Sequence, residues 1–276
     1  MFAPKSLKEY LSVVKNIDKP TYIIAGGTDL IIHLNHSREI DYNIIDITKI
    51  EGLNEIKEDE EFLSIGALVT MTELCESELI KNSYKALYQA AYELGSNIIR
   101  NRATLGGNVS NASQSADCSL VLFSYDAKIK VLRKNGNFEI FDIDKFVVGK
   151  EKTILEQGDL LVEILIPKTN FISCFKKVGA RKAVTISKVS ISFSSCVENN
   201  RFVEPTIYLG AVGVKPTKAT YLMEYFKGKS LEEIDLKTLQ EISFDEVERA
   251  IPNRSSKYYK RVAIQGLIEN VIGDLI

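Results

Sequence analysis

The run Thr21-Tyr22-Ile23-Ile24-Ala25, apolar and partly β-branched, ends in Gly26-Gly27 and gives way to a helical pattern over Asp29–Leu34. This junction constrains the chain more than any other feature, because a buried strand must stop, turn and re-emerge as a helix. A second strand-like run, Tyr42–Ile47, completes the order strand–helix–strand of a small βαβ unit. Glycines let backbone amides approach a ligand without side-chain clash, and the first turn of the helix directs its free N–H groups and positive dipole end to the same spot. Ile23, Ile24, Ala25, Gly26, Gly27, Thr28, Asp29 and Leu30 therefore form a candidate seat for a phosphate or diphosphate. The Asp29 carboxylate would repel such an anion, so it is expected to turn away and cap its own helix, with Thr28 as the other candidate cap. A Gly-Gly pair also serves as a plain tight turn, and the spacing here is neither GxGxxG nor GxxxxGK[ST], so the Rossmann and P-loop signatures do not apply.

Further along, Ser6 caps a predicted N-terminal helix, Phe62–Ala67 reads as a strand, a helix starts near Thr72, and Ser83–Leu94 reads as a helix stopped by Gly95. The polar, glycine-rich stretch Ser96–Asp117 then reads as a long functional loop. It contains a second glycine pair in Thr104-Leu105-Gly106-Gly107-Asn108, where Asn108 offers both donor and acceptor. Two such pairs suggest two backbone cradles for the two halves of a dinucleotide. A hairpin around Asn135-Gly136 joins Ala127–Arg133 to Phe138–Phe141, and Leu160–Ile166 is a strand closed by Pro167. Beyond Thr169, the runs Phe175–Val178, Thr185–Val197 and Phe202–Val212 read as an antiparallel meander, followed by helices near 217–226, 236–250 and 255–273. The expectation is an α+β chain with a boundary near residue 170.

Several functions lack support. The net charge is −2 with no basic stripe, which argues against nucleic acid and anionic membranes as partners. No apolar run is long enough to span a bilayer and the N-terminus lacks a secretory h-region, so a cytoplasmic location is expected. Cys75, Cys118, Cys174 and Cys196 are scattered, which predicts neither a disulfide framework nor an iron–sulfur site. His33 and His36 are the only histidines and fall on one early helix; they read as surface residues, not metal ligands, and leave no Ser/His/Asp or Cys/His set. No catalytic residue is nominated, although Tyr84, Tyr88 or Tyr92 could serve as the acid–base residue of a self-contained oxidase or reductase. A non-enzymatic binding module is the other alternative. A bound redox cofactor would explain how a chain without an acid–base set can still do chemistry.

The residues resemble a known family. Ala25–Leu30 (AGGTDL) and Thr104–Asn108 (TLGGN) look like the two FAD loops of molybdenum-hydroxylase flavoproteins, the FAD subunits of xanthine, nicotinate and carbon monoxide dehydrogenases. Arg100-Asn101 before the second loop, Asp117 after it, Phe175–Lys182 and Lys215-Pro216-Thr217-Lys218 extend the resemblance over nearly the whole chain. It implies an FAD-binding domain of the vanillyl-alcohol-oxidase (PCMH) type over 1–169, with subdomains of about 1–55 and 56–169. A smaller domain over 170–276 would hold an antiparallel sheet and a three-helix bundle. It also implies noncovalent FAD held by Ile23–Leu30 and Thr104–Asn108, with Gly95 and Asp117 as further contacts, Leu161 over the ring and Lys176 at its polar edge. The partners implied are an iron–sulfur subunit with [2Fe–2S] clusters and a molybdopterin subunit, in a dimer of heterotrimers. Electrons would run through FAD to NAD, and the holoenzyme would act on a purine or related N-heterocycle; the chain alone would not oxidise substrate.

Overall fold

A computed structural model describes residues 1–181 and 184–275. The N-terminal helix α1 (Leu7–Val14) starts where Ser6 accepts a hydrogen bond from the Glu9 amide. It is followed by β1 (Thr21–Ile24), α2 (Leu30–His36) and β2 (Asn43–Asp46), with β1 and β2 paired in parallel as the predicted βαβ unit. The strand before the glycines is only half-buried along its length, so the expectation of a buried strand is corrected. Its apolar composition fits a pair of strands covered on one side.

Next come β3 (Ile56–Glu58), β4 (Phe62–Gly66) and a succession of short helices: α3 (Met71–Glu76), α4 (Glu78–Ser83), α5 (Lys85–Tyr92), α6 (Asn97–Arg100), α7 (Leu105–Asn111) and α8 (Asp117–Ser124). The stretch 96–117 is thus not the long loop its composition suggests. Ser96 and Thr104 each cap a helix inside it, through the Ile99 and Gly107 amides. The hairpin β5 (Lys128–Leu132) and β6 (Phe138–Asp142) forms as predicted, then α9 (Ile143–Phe146), β7 (Val147–Gly149), β8 (Lys152–Thr153) and β9 (Leu160–Pro167). One antiparallel sheet runs in the order β3-β4-β9-β5-β6. Its two faces are sorted by strand parity, with a bulge in β5–β9 pairing. Leu160 and Val162 turn to the βαβ unit, alongside Tyr10 and Ile45, while Leu161, Ile164 and Ile166 turn to the helices α3, α5, α7 and α8.

The final part is the meander β10 (Phe171–Gly179), β11 (Ser187–Glu198), β12 (Arg201–Gly210) and β13 (Thr217–Lys218), followed by α10 (Thr220–Phe226), α11 (Leu236–Ala250) and α12 (Lys257–Leu275). The three expected helices are present, and their core is shared with the sheet: Val189, Ile191 and Phe193 pack against Leu222, Phe226, Leu239 and Ile264. They form a layer on the sheet instead of a bundle with its own interior. The alternate residues of β11 are serines and face the other way. Ser192 meets Ser124 of α8 at 2.5 Å, and Ser173 of β10 takes a hydrogen bond from the Ala86 amide and meets the Tyr125 hydroxyl. Small polar side chains therefore join the meander to α5 and α8, the Tyr125 and Ser173 hydroxyls sharing a hydrogen bond in which either can donate.

Phe193 sits between Phe202 and Phe226, with ring centroids at 5.7 and 5.1 Å. Phe193→Ala is expected to cost about 3–5 kcal/mol, read as a fall in the urea midpoint. Val262→Ala, on the exposed side of α12, should stay within about 0.5 kcal/mol.

Candidate functional site

The two glycine pairs, distant in sequence, meet in space. A Cβ on Gly26 would lie 1.8 Å from the Arg102 carbonyl oxygen and 3.1 Å from the Ala103 nitrogen. Only a residue without a side chain lets the first loop rest on the segment that leads into the second. Gly27 has φ +73°, in the left-handed region that glycine adopts without strain, and this bends the chain from β1 into α2.

Backbone accounting separates the two loops. The amides of Gly26, Gly27, Thr28, Asp29 and Leu30 donate to no atom among the described residues, while the Gly27 and Asp29 carbonyls accept from Ile31 and His33 at 3.2 and 3.0 Å. Consecutive free N–H groups at the entry of a helix make an anion seat. Asp29 occupies the cap position of α2 and is exposed, but its carboxylate makes no capping hydrogen bond. The predicted self-capping is therefore corrected; the carboxylate points to solvent and leaves the amides free.

The second loop differs. The Leu105 and Gly106 amides donate to the Val69 and Ala67 carbonyls at 2.9 and 3.0 Å, Gly107 N–H to Thr104 Oγ1 at 3.1 Å, and Asn108 N–H to the Thr104 carbonyl at 2.9 Å. These amides are consumed by the protein, so Thr104–Asn108 is not a second row of bare donors. Its glycines serve proximity instead. A Cβ on Gly106 would meet Ala67 at 2.6 Å, and one on the exposed Gly107 would meet Thr104 Oγ1 at 2.9 Å. Asn108 Oδ1 accepts from the Ser119 amide at 3.1 Å, which ties α7 to the first turn of α8.

That turn begins with Asp117, 6% exposed. Its Oδ2 accepts from Lys177 Nζ at 2.8 Å and its Oδ1 from Ser187 Oγ at 2.6 Å. Burial pushes the Asp117 carboxyl above the ordinary carboxylate range, against the pull of the Lys177 ammonium. Lys177 also donates to the Glu93 carbonyl at 2.9 Å, two residues before Gly95. Gly95 has φ +54°, and its carbonyl accepts from Arg100 at 3.1 Å, so Arg100 clips the end of α5, while Asn101 accepts from Thr72 at 2.6 Å. Gly95 and Asp117, both expected contacts, are thus brought together through Lys177. A recess of about 480 Å³, lined by residues including Ala180, Thr185, Ile186 and Ser187, opens beside this cluster.

Of the nominated residues, Lys176 falls on another side of its strand. Lys176 forms an ion pair with Asp274 of α12 at 2.9 Å, on the opposite side of β10 from Lys177. Leu161 is 3% exposed within the main core, which leaves it no outward face. Lys177 was missed, yet strand parity carries the signal: it shares a side with Phe175, which packs against α5 and α8, whereas Lys176 shares one with Cys174. Lys182 lies outside the described residues. Tyr84 is buried edge-on to Tyr125 and Phe171, and Tyr88 stacks on Tyr92, so these rings serve packing. Both histidines are exposed on α2, and the four cysteines are free thiols.

Residues 1–169 match the family described as the FAD binding domain in molybdopterin dehydrogenase. The nicotinate dehydrogenase FAD-subunit of Eubacterium barkeri is 30% identical over 284 residues, covering 100% of this chain and 95% of that protein. The xanthine dehydrogenase FAD-binding subunit of Escherichia coli O157:H7 is 30% identical over 261 residues, 92% of this chain and 88% of its own. In structure, a chain of the carbon monoxide dehydrogenase from Hydrogenophaga pseudoflava superposes with a TM-score of 0.86 at 21% identity, covering 98% of this chain and 94% of that one, a likeness of fold.

Gly26→Ala forces the loops apart and is expected to cost at least about 1–3 kcal/mol in thermal unfolding. Gly149→Ala, with nothing within 4 Å of the added carbon, should change stability by no more than about 0.5 kcal/mol.

Proposed function

The chain belongs to the family of FAD-binding domains of molybdopterin dehydrogenases, and from that premise we propose that it is the flavin-carrying, electron-relaying subunit of a molybdenum hydroxylase. The observation that carries the reading is the row of free amides from Gly26 to Leu30, pressed against the segment leading into Thr104–Asn108. The residues fit FAD: bare N–H groups at a helix entry suit a diphosphate, and the glycine at 26 leaves a cradle that any side chain would fill. FAD supplies the electron exchange that the side chains of this chain lack.

The roles of the residues follow from their surroundings. Ile23–Leu30 hold the diphosphate through main-chain donors. Gly106 and Gly107 let the backbone of α7 approach, with Asn108 Nδ2 left as a donor while its Oδ1 is engaged by Ser119. Gly95 and Asp117 flank the far end. No histidine or cysteine lies in Ala25–Leu30 or Thr104–Asn108, so FAD is held without a covalent bond. Residues 1–169 form the FAD-binding domain of the vanillyl-alcohol-oxidase type, with subdomains of about 1–55 and 56–169, and 170–276 form the C-terminal domain.

Partner chains carry the [2Fe–2S] clusters and the molybdopterin centre, in a dimer of heterotrimers. Electrons pass from the clusters through FAD to NAD, and the holoenzyme hydroxylates a purine or related N-heterocycle. The names of the nicotinate and xanthine dehydrogenase relatives support that substrate class. A cytoplasmic location fits this assembly; no helix among the described residues is long and apolar enough to cross a membrane.

Purified protein is expected to be yellow and to release FAD on acid treatment. Gly27→Val, which places a β-branched residue at a positive φ, should weaken FAD binding at least about tenfold in a fluorescence titration. A colourless chain that takes up no added FAD sinks the proposal. Native mass spectrometry of the complex should find iron–sulfur and molybdopterin chains bound; a chain that oxidises N-heterocycles unaided contradicts the subunit role.

A further inference from the structure

Lys177 is 6% exposed at its side chain, as is its partner Asp117. An ammonium carries three donor hydrogens. Two are used, by Asp117 Oδ2 at 2.8 Å and the Glu93 carbonyl at 2.9 Å. Among the described residues no atom accepts the third. Asp117, by contrast, has each oxygen engaged, Oδ2 by Lys177 and Oδ1 by Ser187 Oγ. The carboxylate is directed inward at the lysine, and the lysine retains a donor beside the Glu93 carbonyl, two residues before Gly95, and beside Asp117, whose other partner Ser187 lines the recess.

Resting on the FAD reading above, we infer that Lys177 presents its charge to the flavin end of the cofactor, and that Asp117 and Ser187 are positioning residues which hold the ammonium and partly neutralise it, so that this buried trio sets the reduction potential of the bound FAD. A reduced ring carries more negative charge than an oxidised one, and a nearby buried cation favours it, the more so where water is excluded. Asp117 subtracts from that effect. Ser187, by donating to Oδ1, stabilises the carboxylate and keeps its negative charge in place. The trio joins three elements, α8, β10 and β11, so the meander reaches the cofactor through one strand position. Lys176, one residue earlier, is turned to α12 and takes no part.

The test uses the FAD-loaded chain and reads the midpoint potential of the flavin in a dye-equilibrated titration, with the FAD dissociation constant and thermal stability measured beside it. Lys177→Met should lower the potential, and Asp117→Asn raise it, by at least a tenfold change in the ratio of affinities for reduced and oxidised flavin, about 30 mV for a two-electron couple. Lys177→Arg should keep most of the wild-type value. Ser187→Ala leaves the ion pair in place and should shift the potential upward by a smaller amount; it decides the matter if Asp117→Asn or Lys177→Met fails to fold. Potentials that stay at the wild-type value in Ser187→Ala and in every lysine variant that binds FAD overturn this inference alone. A wild-type chain that binds no FAD overturns the functional reading as well, so the two failures are told apart.

Discussion

The contact between Gly26 and the Arg102 carbonyl holds the candidate site together. Two segments that fold in different units, one at the end of a parallel strand and the other ahead of a helix on the antiparallel sheet, touch there through main chain alone. Any Cβ would occupy the space of the carbonyl oxygen. The free amides of the first loop, the cap of α7 and the approach of α8 keep their relative positions because this contact can close.

Around it the site is divided by how the backbone spends its donors. The first loop leaves a row of amides unengaged, at the entry of a helix whose dipole favours an anion. The second spends its amides on Val69, Ala67 and Thr104, and so becomes a rigid floor. A seat with mobile walls would have to be ordered at each binding event, at a cost in entropy; a seat fixed by its own hydrogen bonds on one side and open on the other avoids most of it. The ion pair of Asp117 and Lys177 adds a third wall. Burying both charges is favourable only where further hydrogen bonds satisfy them, and Ser187 and the Glu93 carbonyl supply these.

Much of the fold was legible in the residues. The alternation in Phe175–Val178 and Phe202–Val212, the Asn135-Gly136 turn and the closing Pro167 each act locally, and the elements they predict are present. Ser96–Asp117 was not legible, because polar and small residues mark loops and helix caps alike: Ser96 and Thr104 are caps, and the glycines of α7 lie in its first turn, where close packing of Gly106 on Ala67 excludes a side chain. Asp29 stands at the cap position of α2, yet its exposed side chain makes no cap. Lys176 lies on the α12 side of β10, and Leu161 is buried in the core that also holds Leu105 and Val109 of α7.

The sequence by itself determined the elements, the glycine pair that can bare a row of amides, and the family to which the chain belongs, because these depend on short-range sterics and on motifs spanning a few residues. Only the tertiary structure decided that one loop keeps its donors and the other spends them, and that Lys177, not Lys176, joins Asp117. Hydrogen-bond partners such as Ala67 and Ser187, and the Arg102 carbonyl on which Gly26 rests, lie far away in the chain, and which side of β10 faces α8 is fixed by how the meander docks, a matter of packing between units that local propensity does not encode.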